Sequence, residues 1–380
     1  MLINTIFFLA AIHGVILSLV LATKKVNKYS NRLLSLLMLV FTVDLAMASY
    51  IGYGLKSVHP HALGIDYAIT LLYAPLSYLY VVSIIKRKIN FEIKDGLHFI
   101  PFMILVLYLV PFYLSSGEEK IALTNSSGSL TYGFGFISNA KLAYNLSYFP
   151  FIIREVLLYR KKLKEQYSSI EKHNLNWLQV FTLCLVSMVI FTVGIQIVGY
   201  YSNVDDKFWM FNLIAVTVFV YSIGYLGLIQ PEFFTDFEKH LEAKEETGVE
   251  KEESYTKSGL DDGLGREISE RLLRLMDEEK PFTNNELSLR NLADMLEVSS
   301  HNLTEVINKF SNKNFYDFVN AYRVEEVKSR IKNPENNNYT LLAIGLESGF
   351  NSKSSFNSVF KKHTGQTPSQ YKKELQTEKL

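Results

Sequence analysis

Before residue 231 the chain carries seven apolar stretches of membrane-crossing length, and after it none. A bilayer core about 30 Å thick is crossed by roughly 20 helical residues. The stretches 2–22, 33–53, 62–85, 97–114, 136–159, 177–200 and 208–229 meet that length. Backbone amides in lipid must bond within their own segment or close a barrel, and runs this long read as helices. The expected fold class is therefore all-α: a seven-helix transmembrane bundle over 1–231, a linker over 232–265 and a polar helical domain over 266–376. The formal net charge of +1 sums these unlike parts and says nothing about partners.

The connecting segments alternate in basic content. Lys24, Lys25, Lys28 and Arg32 fill the first, Lys86, Arg87, Lys88 and Lys94 the third, and Arg160, Lys161, Lys162, Lys164 and Lys172 the fifth. The second has only Lys56, the fourth sets Lys120 beside Glu118 and Glu119, and the sixth sets Lys207 beside two aspartates. Positive loops stay on the cytoplasmic side. The N-terminus is then expected outside and the C-terminal domain in the cytoplasm. Stretch 2–22 lacks a basic leading region and an Ala-x-Ala cleavage site, so it reads as a first span and not a cleaved leader. Lys141 and Arg154 lie near the ends of the fifth stretch, where long side chains are expected to snorkel.

Four polar residues fall at membrane depth: His13, Asp44, Gln196 and Asn212. A carboxyl at the bilayer centre costs about 2.5–3.5 kcal/mol on insertion scales, so Asp44 is expected to face the interior and to have a partner or be protonated. Two readings stand for this set: interhelical polar packing, or a cavity that senses a ligand or a proton. Pro75, Pro101, Pro111 and Pro150 are expected to kink or bound spans. The one cysteine, Cys184, excludes a disulfide or a cysteine metal site within one chain. There is no His-Glu-x-x-His, no glycine-rich phosphate loop and no Gly-x-Ser-x-Gly, so neither enzyme nor cofactor nor metal is expected. Pro231 ends the last stretch, and 232–265 holds eleven acidic residues against four lysines, a solvated spacer.

The polar third changes period. Residues 287–298 place Leu292, Ala293 and Leu296 on one helical face; Val298-Ser299 is a turn with Ser299 as N-cap; 300–310 follows as a second helix with Leu303, Val306, Ile307 and Phe310 inward. Ser300, His301, Thr304, Glu305 and Asn308 then point out. A connecting helix over 315–331 leads to a second such unit: 341–347, a turn at Ser348-Gly-Phe-Asn351, and a helix over 352–363. Its Phe356, Val359 and Phe360 point inward, while Lys353, Ser354, Asn357, Ser358, Lys361 and Lys362 point away. Two helix-turn-helix units about 50 residues apart fit a reader of the major groove.

The motifs Leu292-Ala-x-x-Leu296, Val298-Ser299, Gly349-Phe350, Phe356-x-x-x-Phe360-Lys-Lys and Gly365-x-Thr-Pro-Ser-x-Tyr371 resemble the AraC/XylS family of bacterial transcription regulators over about residues 266–375. The resemblance implies two recognition helices entering adjacent major-groove segments of double-stranded DNA. By position, His301, Thr304 and Glu305 would read bases from the first helix, and Lys353, Ser354 and Ser358 from the second. Glu305 departs from the basic or amide side chain common there, and Gly345 stands where alanine is usual. Together with the bundle, the resemblance implies a one-component regulator in a bacterial inner membrane. The alternatives are a module that binds a protein partner instead of DNA, and a transporter-like membrane part with an attached regulator.

Charge limits the affinity to be expected. Residues 266–351 have a net charge of −3 and 352–380 of +4. Phosphate neutralisation dominates non-specific DNA affinity, so the second unit should anchor the complex and a homodimer should be needed.

Overall fold

The computed structural model describes residues 2–25, 27–86, 88, 90–125, 134–170, 176–202, 207–228 and 261–377. All its regular structure is helical, and an isolated antiparallel bridge, Tyr167 with Ser288, is the only β-pairing among the described residues. The linker expected over 232–265 lies outside them as far as residue 260. Two units divide the chain: Met1–Leu157 with Leu175–Glu250, and Leu158–Asn174 with Lys251–Leu380.

In the first unit the apolar stretches become α1 (Leu2–Thr23) and α2 (Lys28–Gly52). Their buried hydroxyls satisfy one another: Ser18 Oγ donates to the Ser35 carbonyl at 3.0 Å, and Ser35 Oγ to the Ser18 carbonyl at 2.8 Å. Short turns lead into α3 (Tyr73–Ile85), whose Ser83 Oγ donates to Ser30 Oγ at 2.8 Å. Pro75 falls in the first turn of α3, where its missing amide leaves no intrahelical bond unmade. Asn145 repairs the junction ahead of it. Its Oδ1 accepts from the Ala74 amide at 3.1 Å and its Nδ2 donates to the Thr70 carbonyl at 3.2 Å.

The expectation of seven spans is met at four. Among the described residues, Leu2–Thr23, Lys28–Gly52, Pro60–Ile85 and Leu178–Ile195 are helical, long and apolar enough to cross a bilayer. Proline accounts for two of the shortfalls. Stretch 97–114 breaks into α4 (Ile100–Tyr108) and Val110–Leu114, each opened by a proline at its second position. Stretch 136–159 breaks at Tyr148 into α5 (Phe134–Ser147) and α6 (Phe149–Gln166), with Pro150 starting α6. The last two stretches are α7 (Asn176–Ser202) and α8 (Lys207–Leu228), the latter with a described apolar run of Leu213–Tyr225. Lys141 does not snorkel: its ammonium donates to the Tyr67 carbonyl at 2.8 Å and sits 3.5 Å from the Tyr67 ring centroid.

The second unit contains α9 (Asp262–Glu278), α10 (Leu289–Met295), α11 (Ser300–Ser311), α12 (Phe315–Lys332), α13 (Leu341–Glu347), α14 (Lys353–Thr364) and α15 (Pro368–Thr377). Side-chain caps set the starts: Ser288, Ser299, Asn314, Thr340 and Ser352 each accept the amide three residues on. Each such cap is worth about 1 kcal/mol. Two apolar cores result. Ile268, Leu272, Leu292, Ala293, Leu303 and Val319 belong to the first, and Val327, Ile344, Phe350, Phe356, Val359 and Phe360 to the second. Helix α12 serves both, giving Phe315, Phe318 and Val319 to one and Tyr316, Val324 and Val327 to the other. Full burial of one such side chain contributes about 1.5–3 kcal/mol. Phe310, expected inward, is 43% exposed, because Leu303, Val306 and Ile307 already complete the buried face of α11.

Candidate nucleic-acid interface

Helix α11 follows its support helix α10 after a tight turn in which Glu297 takes a left-handed backbone, φ 55°. Its outer side forms a shallow groove lined by His301, Thr304, Glu305, Asn308 and Lys309. Two of these are tethered. Thr304 Oγ1 donates to the Ser300 carbonyl at 2.8 Å, and the Lys309 ammonium pairs with Asp262 of α9. His301 and Asn308 are exposed; Ser300 and Glu305 are half-buried.

In the second unit Lys353, Ser354, Ser358, Lys361 and Lys362 are exposed and Asn357 is half-buried. Lys362 donates to Asp317 Oδ1 of α12 at 2.6 Å. Burial works against ionisation of Asp317, but the Lys362 ammonium outweighs it and holds the carboxyl below its usual range. Two glycines bring the parts of this unit together. A Cβ on Gly345 would stand 2.8 Å from the Phe356 ring, so the absent methyl lets α13 seat directly on α14. That is a packing reason for its departure from the usual alanine. Gly349, at φ +97°, turns the chain between the two helices.

Sequence alone did not mark the residue that ties the segments around Phe282 and Ser168 to α12. Arg323 of α12 is 1% exposed. It donates through Nε to the Phe282 carbonyl at 2.7 Å, and through its terminal nitrogens to the carbonyls of Asn284 at 2.9 Å and Ser168 at 3.0 Å and to Ser168 Oγ at 3.0 Å. A spacing signal existed: Arg323 stands four residues from both Val319 and Val327, on a buried stripe of its helix.

The first unit holds a separate cavity of about 400 Å³, lined by Asp44, Asp66, Tyr73, Lys141 and Asn145 among apolar groups such as Phe41 and Met188. Asp44 accepts from the Tyr73 hydroxyl, the partner expected for it. His13 is elsewhere, stacked on Tyr221 with centroids 4.6 Å apart. The side chains of Gln196 and Asn212 lie outside the described residues. Asp66 and Tyr73 join Asp44 without having been singled out in the sequence, and Lys141, expected only to snorkel, joins them too, because their meeting depends on how the helices pack.

This region thus consists of two capped helix pairs, each with a buried inner face and a polar outer one, joined by a helix common to both cores. Residues 292–374 match the helix-turn-helix domain family, AraC type. An AraC-type helix-turn-helix domain points to DNA-binding transcription regulation; it is not a catalytic domain, and no enzymatic family matches. No curated protein matches the chain. Among solved structures, a protein of unknown function from Listeria innocua is similar at 28% identity over 27% of this chain and 93% of that one, with a TM-score of 0.24.

Proposed function

We propose that the chain is a membrane-bound, sequence-specific transcription regulator of the one-component kind. In this reading seven spans over 1–231 lie in a bacterial inner membrane with the N-terminus outside, and the helix-turn-helix domain reads double-stranded DNA from the cytoplasm as a homodimer. The input is a small molecule or a membrane state felt in the cavity around Asp44. The helix-turn-helix match over 292–374, in a chain that also has four helices of membrane-crossing length, carries the proposal. The alternation of basic loops supports the orientation.

Base readers and phosphate contacts should separate on mutation. Lys353→Ala or Ser354→Ala is expected to relax preference at individual operator positions by about 1–3 kcal/mol, whereas Lys361→Ala should weaken all duplexes alike. Binding-site selection with the full-length protein measures both, and a wild-type chain that retains no duplex at any salt concentration would refute DNA reading in favour of a protein partner.

Topology has its own test. A reporter fused after Lys207 should behave as external and one fused after Lys162 as cytoplasmic. The reverse pattern would overturn the orientation.

A further inference from the structure

Helix α6 ends in Arg160-Lys-Lys-Leu-Lys164, which precedes the helix-turn-helix domain by more than a hundred positions. Yet Leu158–Asn174 belongs to the same unit as that domain. The loop after α6 is held tightly there. Ser168 is fully buried; its carbonyl accepts from Asn320 Nδ2 at 3.1 Å and from Arg323, and its amide and hydroxyl both donate to the Leu287 carbonyl, at 3.2 and 2.5 Å. Ser169 accepts from Asn351 in the turn of the second helix-turn-helix, and Ile170 packs on the second core. The loop thus bonds to the residue just ahead of the first support helix, to the connecting helix and to the turn of the second helix-turn-helix.

The docked loop fixes the end of α6 beside the first recognition helix. Leu163 is buried, while Leu158, Lys161, Lys162 and Glu165, one face by their helical spacing, line a surface cleft with Leu289, Ser300, His301 and Thr304. Lys161 and Lys162 are exposed. Residues 266–351, which include this recognition helix, have a net charge of −3, and Lys309 on the same helix is engaged by Asp262. Residues 158–170 have a net charge of +3, which brings the combined surface to zero. A recognition helix seated in a major groove has a phosphate strand running along its flank, and elements beside its N-terminal half meet that strand.

We propose that Lys161 and Lys162 form a phosphate-backbone contact surface for the first helix-turn-helix, supplied from outside the matched domain and held in place by the Ser168 loop. The inference rests on the DNA-reading function proposed above. It adds to the expectation that the second unit anchors the complex, because the first unit then has a backbone clamp of its own.

The test uses the full-length chain in nanodiscs of neutral lipid, with a duplex selected by the wild type and a scrambled duplex of the same length. Lys161→Gln/Lys162→Gln should weaken both by the same factor, roughly tenfold near physiological salt, and flatten the slope of log affinity against log salt by about 1.8, two contacts at about 0.9 each. Lys161→Arg/Lys162→Arg should retain both. Unchanged affinity and slope in the glutamine variant would overturn the proposal, and so would tighter binding, which would mean that α6 obstructs the recognition helix. A wild type that binds no duplex at any salt overturns the DNA-reading function along with this inference, whereas a binding wild type with an indifferent glutamine variant overturns the inference alone.

Discussion

Gly349→Ala should destabilise the C-terminal domain by about 3 kcal/mol or more, from strain and overpacking acting together. At φ +97° an L side chain is strained before any neighbour is considered. The added Cβ would also stand 2.2 Å from the Phe282 carbonyl oxygen and 2.8 Å from Arg323 Nε. The first of these is backbone and cannot rotate away, so the turn between α13 and α14 must shift, and with it the 2.7 Å bond from Arg323 to that carbonyl. Thermal unfolding of the full chain, followed by protease resistance of the C-terminal domain, reads the effect. A variant as resistant as wild type would show that the turn relaxes at no cost. The same change at Gly365, also at positive φ (+81°) but with nothing within 4 Å of an added Cβ, should cost less because only the backbone strain remains.

Arg323→Met should cost about 3 kcal/mol or more, because several buried acceptors lose their donor at once. Methionine fills much of the same volume but donates nothing. The carbonyls of Phe282 and Asn284 and the carbonyl and hydroxyl of Ser168 would each lose a donor. A buried acceptor left unsatisfied costs about 1–3 kcal/mol. Hydrogen exchange should rise first around 167–170 and 282–288, where the bonds meet, and then across both cores. If exchange stayed native there while overall stability fell, the arginine would be acting through packing and not through this knot. Lysine at the position keeps a charge but not the planar fork that reaches several acceptors at once, so Arg323→Lys should recover only part of the loss.

The helix-turn-helix part was largely legible in the sequence because its signals are local. Ser299 as N-cap, Gly349 at positive φ, and the inward set Leu303, Val306, Ile307, Phe356, Val359 and Phe360 follow from capping chemistry and helical period, and the structure has them so. The spans were harder, since hydropathy averages over the prolines that divide 97–114 and 136–159 into separate helices. Asp44 was visible as an isolated carboxyl, but its neighbours Tyr73, Asp66 and Lys141 come from distant positions. Nothing local in Tyr167-Ser-Ser-Ile170 marks it as a docking segment, because its partners follow more than a hundred residues later.

The bond from Arg323 to the Ser168 carbonyl spans 155 positions. At roughly 5–20 residues per second of synthesis, Ser168 is made about eight to thirty seconds before the arginine that will hold it. Until then its buried slot does not exist, and the loop must stay soluble and unpaired as the rest of the chain emerges. Its small hydroxyl residues suit that wait. The helix-turn-helix domain is therefore completed by a segment older than itself, and its folding reaches the last step only after Arg323 has been made.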